Sequence, residues 1–81
     1  MSINSLRAFI AVAQTGSFVK AASLMDLPPS SVSRHISALE KSLGQKLLYR
    51  HTRAVRLTEV GVNYFEEIRE AARAARIETF I

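Results

Sequence analysis

Between Pro28 and Leu43 the chain reads PPSSVSRHISALEKSL, and no other stretch restricts its fold as tightly. Val32, Ile36, Leu39 and Leu43 follow at spacings of four, three and four, which puts them on one stripe of an α-helix. Two prolines open the stretch, where a missing amide hydrogen costs little, and Gly44 follows its last apolar residue. A turn of roughly 100° per residue from Val32 gathers Ser30, Ser33, Arg34, Ser37 and Lys41 on the opposite face. The stripe therefore needs a core to cover it, and the outer face is open, short-chained and basic.

Two readings of that outer face stand side by side. Most charged helix faces are simply solvated. This one also suits the edge of a DNA groove, because serines let the backbone come close to phosphates and base edges while Arg34 carries a planar two-donor fork that matches guanine.

At 81 residues the chain forms one domain at most, and with 48% apolar residues it has enough to bury a core without staples. It has no cysteine, hence no disulfide framework and no thiolate metal site. No apolar run approaches a transmembrane length and no signal-peptide pattern opens the chain, so a cytosolic protein without a membrane partner is expected. Charge is divided unevenly. Residues 1–56 hold eight Lys or Arg against two acids, Asp26 and Glu40, whereas residues 57–81 hold three against five. The first two-thirds thus carries an anion-seeking surface, which favours nucleic acid or an anionic membrane without specifying either.

Around the central helix the chain reads as further helices. Ile3 to Thr15 carries Leu6, Phe9, Ile10 and Ala13 at helical spacing and is followed by Gly16. Ser17 is a suitable N-cap for a short second helix bearing Phe18, Ala21, Ala22 and Met25, and its paired alanines leave room for another helix to cross closely. Asp26 tolerates the left-handed conformation of a tight turn, with Leu27 pinned beneath it. Helix, tight turn and polar-faced helix together make a helix-turn-helix pattern.

After Gly44 the period changes. Leu47, Leu48 and Tyr49, then Val55, Arg56 and Leu57, form two short strand-like runs around His51-Thr52-Arg53-Ala54, a small hairpin. Arg50, His51, Arg53 and Arg56 crowd it, a repulsive cluster unless a polyanion meets it. Thr58 then caps a helix with Glu59 in its first turn, and Gly61, Tyr64, Phe65, Ile68, Ala71, Ala72 and Ala75 fall on one stripe to the C-terminus. Glu66 with Arg69 and Glu70 with Arg73 make i to i+3 pairs on its outer side. Extended to Ile81 this helix measures about 35 Å. A helix of that length outruns its domain, so its far half is expected to bury its stripe on a second chain, with a frayed linker as the alternative. The absence of a stop signal after Ile77 suggests a chain cut from a longer one.

Taken together, Leu6, Phe9, Gly16-Ser17-Phe18, Ala21-Ala22, Leu24, Val32-Ser33-Arg34, Ile36, Leu39-Glu40, Leu43-Gly44, Leu47-Leu48, Arg50, Thr52-Arg53, Leu57-Thr58 and Gly61 resemble the N-terminal DNA-binding domain of LysR-type transcriptional regulators. The resemblance implies a mainly α fold, a winged helix-turn-helix of three helices and a β-hairpin wing (residues 1–58), followed by a long linker helix (59–81). It implies double-stranded DNA and a second copy as partners, with no cofactor. The third helix, about residues 29–43, enters the major groove and the wing nears the minor groove of a partly palindromic promoter site. By position, Pro29, Ser30, Ser31, Ser33 and Arg34 are the readers and Arg53 the wing residue. Ser37 completes the reading face, and Arg50 and His51 are phosphate contacts. Tyr64, Phe65, Ile68, Ala72 and Ala75 line the dimer interface. The effector domain of a full-length member is absent, and RNA polymerase is a candidate partner of the full-length protein only. Such a protein belongs in the bacterial cytoplasm, at the nucleoid. Two departures stand out: Pro28 and Pro29 replace the polar residues common there, removing a side-chain cap and an amide-bearing base contact, and Leu47-Leu48 replaces Leu-Phe at the start of the wing.

Catalysis finds no support. His35 lies about 200° around the helix from Ser33, so no nucleophile and base pair forms, and the two histidines lack metal-ligand spacing. A non-enzymatic alternative is a chain that only forms inactive heterodimers, against which the basic wing argues. Among single residues, Arg7, Lys20, Lys41 and Lys46 read equally well as solvated charges, His35 as a residue flanking the core, and Tyr49 and Tyr64 as packing groups. Glu40 is either solvated or holds Arg50 or Arg53 in position.

Overall fold

A computed structural model describes residues 2–50 and 55–75. Helix α1 spans Ile3–Thr15, α2 Phe18–Met25 and α3 Pro29–Leu43. Each begins and ends on local chemistry. The Ser17 hydroxyl accepts the Lys20 amide at 3.1 Å, the N-cap role expected of it. Asp26 sits at φ 57°. The Asp26 amide donates to the Ser23 carbonyl at 3.3 Å and the Leu27 amide to that of Ala22 at 3.0 Å, the paired bonds that stop a helix sharply. The same pair recurs at the end of α3, from Gly44 to Lys41 at 3.3 Å and from Gln45 to Glu40 at 3.2 Å. Pro28 opens α3 with no side-chain cap. Its carbonyl accepts the Ser31 and Val32 amides instead, at 3.0 and 3.3 Å.

The three helices pack on one another around Phe9, Val12, Ala21, Ala22, Val32, Ile36 and Leu39. The paired alanines of α2 are buried at 0 and 2% exposure, so the helices close up at that point as their small size allows. Leu6, Phe18, Met25, Leu27 and Leu43 are partly buried at the edges of this core. The expected stripe of α3 is thus the covered face of the helix.

Strands β1, Leu48–Tyr49, and β2, Arg56–Leu57, pair antiparallel with Leu48 opposite Leu57 and Tyr49 opposite Arg56. Thr58 joins this wing to α4, Glu59–Ala74. Its amide donates to the Leu47 carbonyl at 2.9 Å, its hydroxyl donates to the Lys46 carbonyl at 2.7 Å, and the same hydroxyl oxygen caps α4 by accepting the Gly61 amide at 2.9 Å. One threonine therefore ends the wing and starts the helix.

Helix α4 lays Tyr64, Phe65 and Ile68 against the core. Phe9 meets Tyr64 with ring centroids 5.7 Å apart and Phe65 edge-on at 6.3 Å, pairs that add about 0.5–1.5 kcal/mol each beyond their buried area. Half-burial raises the Tyr64 phenol above its ordinary pKa, and the Glu67 carboxylate adds to the rise. Of the far half of this helix, expected to find no cover within the chain, residues 76–81 lie outside the described residues, and among those described Ala72 is 6% exposed. The covered line runs Gly61, Phe65, Ile68, Ala72, about three turns, while Ala71 and Ala75 remain open. The i to i+3 pairs form on the outer side, Arg69 to Glu66 at 3.4 Å and Arg73 to Glu70 at 3.3 Å.

At Gly61 the first turn of α4 lies against the Leu47 backbone. A Cβ there would collide with the Leu47 carbonyl oxygen and crowd its carbonyl carbon at 3.1 Å. Alanine gains up to about 1 kcal/mol over glycine in a helix, whereas overpacking against fixed backbone costs about 1–3 kcal/mol. Gly61→Ala is therefore expected to lower the thermal midpoint by several degrees in a circular-dichroism melt; a raised midpoint would mean that the wing yields freely at Leu47.

Candidate nucleic-acid interface

The outer face of α3 is built as its spacing requires. Pro29, Ser30, Arg34, Ser37 and Lys41 are exposed and Ser31 and Ser33 half-buried, behind a buried Val32, Ile36 and Leu39. The Arg34 guanidinium donates to the Ser31 hydroxyl at 3.2 Å across one turn of exposed helix. Both residues line a shallow hollow with Leu27 and His35, so the tight turn after α2 borders the exposed cation. His35 is half-buried there, on the flank of the core.

A second cluster ties this helix to the wing. Glu40 is 4% exposed, which removes the solvated reading in favour of the paired one. Its Oε2 accepts the amides of Leu47 at 2.8 Å and Leu48 at 3.2 Å, and its Oε1 accepts Nη2 of Arg50 at 3.0 Å. Nη1 of Arg50 donates to the Ser33 hydroxyl at 2.8 Å, and the guanidinium carbon stands 5.7 Å from the centre of the Phe18 ring. The third donor, Nε, is buried without a hydrogen-bond partner among the described residues. The fork is thus set by its two terminal nitrogens, with the cost of the idle Nε–H accepted.

A carboxylate near the C-terminal end of α3 opposes the helix dipole by about 0.3–1 kcal/mol. Hydrogen bonds to a charged group are worth about 1.5–3 kcal/mol each. Three of them decide the balance in favour of the buried site.

Other expected site residues fall in different places. His51 and Arg53 lie outside the described residues, as does the tip of the wing. Arg56 is exposed on β2, and Arg7, Lys20, Lys41 and Lys46 are exposed as solvated charges would be. Of the residues assigned to a dimer interface, Tyr64, Phe65 and Ile68 pack partly on their own core, Ala72 is buried and Ala75 is exposed. Sequence reasoning placed Arg50 among the basic groups of the wing and missed its bond to Ser33. Nothing in a spacing of 17 residues announces that contact. The two backbone amides held by Glu40 carry no sequence signal at all.

Residues 3–62 match the model of the bacterial regulatory helix-turn-helix proteins of the lysR family. The chain is 46% identical over 68 residues to YhjC, an uncharacterized HTH-type transcriptional regulator of Escherichia coli K12, a match that takes in 84% of this chain and 23% of that protein. An uncharacterized HTH-type regulator from the ibpB-leuC intergenic region of Azotobacter vinelandii is 51% identical over 61 residues, 75% of this chain and 42% of that protein. The chain therefore spans less than half the length of either relative. Among solved structures, the BenM DBD in complex with catB site 1 DNA superposes with a TM-score of 0.84 at 33% identity, over 95% of this chain and 88% of that one. The CbnR DBD in its DNA complex gives 0.83 at 35% identity, over 93% and 86%.

Removing the Glu40 carboxylate leaves the buried Leu47 and Leu48 amides without their acceptor, at about 1–3 kcal/mol each, and Arg50, which is 26% exposed, without its partner. Glu40→Ala is expected to lose a stability of that order in urea unfolding, enough to threaten a domain of this size, whereas Lys41→Ala next to it, being exposed, should stay within about 0.5 kcal/mol of the parent. Equal effects of the two would deny Glu40 its structural role.

Proposed function

The chain belongs to the lysR family of bacterial regulatory helix-turn-helix proteins, and we propose that it is the part of such a regulator that binds double-stranded DNA in a sequence-specific way. The reading is supported most directly by one face: Ser30, Arg34, Ser37 and Lys41 stand exposed on a helix whose other side is fully committed to the core. The frame that carries this face resembles two domains solved on DNA.

In this reading α3 lies in the major groove, where Arg34 and the serines Ser30, Ser31, Ser33 and Ser37 meet base edges and Pro29 approaches the backbone. The Arg34 bond to Ser31 is exposed, so water competes for both groups and its net contribution stays near about 0.5–1.5 kcal/mol. A bidentate pair with guanine discriminates by about 1–3 kcal/mol. DNA therefore wins the guanidinium. Helix N-termini bind phosphate through free amides, but Pro28 and Pro29 carry none, which leaves the Ser30 amide as the first donor of α3. The wing, with Arg53, takes the flanking minor groove, and phosphate contacts, His51 among them, fix the register. Residues 1–58 form the reading unit and 59–81 the linker helix.

Two copies pair through α4 and present two α3 helices to a partly palindromic site. The stripe of Tyr64, Phe65, Ile68, Ala72 and Ala75 serves this pairing along its open edge. Tyr64, Phe65 and Ile68 are only partly covered by their own core, and exposed Ala71 and Ala75 allow a second helix to come close. The assembly works in the cytoplasm, and among the described residues no helix is long and apolar enough to cross a membrane. Any effector site or contact with RNA polymerase belongs to the remainder of a longer regulator.

Selection of bound duplexes from a random pool tests the reading. Arg34→Ala should weaken the best site by about 1–3 kcal/mol and relax preference at one base position, while uniform weakening on every sequence would contradict base reading. A parent chain with no binding beyond a heparin-sensitive background would leave only the heterodimer alternative. Ala75→Glu should convert a sedimenting dimer into a monomer with an unchanged circular-dichroism spectrum and a melting temperature that no longer depends on protein concentration; a persistent dimer would move the interface away from this end of α4.

A further inference from the structure

The contact of Arg50 with Ser33 gives the reading face a polarity. We propose that Arg50 is a positioning residue for base recognition: clamped by Glu40, it fixes the Ser33 hydroxyl as a hydrogen-bond donor toward the major groove, so that Ser33 selects a base presenting an acceptor. This rests on the reading of α3 as the recognition helix.

Arginine has donors only. At 2.8 Å from Nη1 the Ser33 oxygen must accept, and Arg50 is the one hydrogen-bond partner given to that hydroxyl among the described residues. The serine proton is left over. Ser33 is half-buried on the outer face of α3, one position before the exposed Arg34, so the proton points to whatever occupies the groove. A cation at this distance also polarises the O–H bond, which strengthens it as a donor, and repels a second approaching N–H. Guanine N7 and O6, adenine N7 and thymine O4 are acceptors in the major groove, whereas cytosine offers its N4 donor. The arrangement favours the former group and penalises cytosine at the base Ser33 faces.

The guanidinium is held firmly enough to impose this. Nη2 is bound to a carboxylate that is 4% exposed and is itself anchored by two backbone amides. The Phe18 ring lies 5.7 Å from the guanidinium carbon, and Nε is sealed from solvent. Arg50 therefore acts on DNA through Ser33. Each terminal nitrogen keeps a second N–H and the side chain is 26% exposed, so a phosphate contact made by the clamped fork is the rival role that the salt dependence separates.

The test is base preference of the 81-residue chain measured on a random duplex pool, with affinity followed against salt. Ser33→Ala should flatten discrimination at one base position by about three- to tenfold, the worth of one hydroxyl bond. Arg50→Lys should flatten the same position by a similar factor, since a single ammonium does not reproduce the fork that joins Ser33 to Glu40, and Ser33→Ala added to it should do no more. The slope of log affinity against log salt should match the parent. Glu40→Gln, which keeps an acceptor for the Leu47 and Leu48 amides, should reproduce the loss and supplies the answer if Arg50→Lys does not fold by circular dichroism. Three results overturn the proposal. If Arg50→Lys and Glu40→Gln keep the preference that Ser33→Ala removes, Ser33 reads DNA without the clamp. If Arg50→Lys weakens all sequences alike and reduces the salt slope by about one, Arg50 is a phosphate contact. If Ser33→Ala alters no position, Ser33 is no reader and the fault lies in that assignment.

Discussion

The Glu40 carboxylate is the point on which the parts of this protein depend. It leaves the end of α3, collects the amides that begin the wing and holds the guanidinium that follows β1. Helix and wing would otherwise be joined by a short loop, Gly44 to Lys46, and by the packing of Leu47 and Leu48. A two-residue hairpin pair has little stability of its own in water. Fastening its first strand to a buried charge on the recognition helix makes the wing part of the domain. A single acidic group, buried where the helix dipole opposes it, persists because three donors converge on it.

The other end of the wing is fastened by Thr58. Its backbone and side chain bind Leu47 and Lys46 while its oxygen caps α4. Gly61 then lets the first turn of α4 lie on the Leu47 carbonyl. The segment from Lys46 to Leu48 is consequently gripped from both sides, by α3 through Glu40 and by α4 through Thr58. The direction in which α4 leaves the domain is set by that grip and by the contact of Phe9 with Tyr64 and Phe65. Any pairing of two copies through α4 inherits the geometry of the reading helix by this route.

Much of the fold was legible in the chain because its signals are local. Ser17, Thr58, Gly16 and Gly44 mark helix ends through bonds that span a few residues, and Asp26 adopts the left-handed turn that its side chain tolerates. The stripe of Val32, Ile36 and Leu39 identified the covered face of α3, and so by exclusion the open one. The site was legible only in part. The exposed row of Ser30, Arg34 and Ser37 follows from the same periodicity. The link between Ser33 and Arg50 does not, since it depends on where β1 comes to rest. For α4, periodicity drew one stripe but not its division: Tyr64, Phe65 and Ile68 pack partly on the chain's own core, Ala72 is buried, and Ala75 is exposed.

By itself the sequence determined the helices, the ends of the first three and the start of the fourth, the hairpin and the basic character of one face, along with the resemblance that names the family. Each of these is written in neighbouring residues or in a helical period, where the physics is short-ranged. Tertiary structure alone decided which charges are free. Arg34 and Arg50 are the same residue type in the same basic region, yet one stands in solvent beside Ser31 and the other is clamped between Glu40, Ser33 and Phe18. A side chain's role depends on the donors, acceptors and burial that the folded chain brings to it from a distance, and these come into being only when the wing closes on α3.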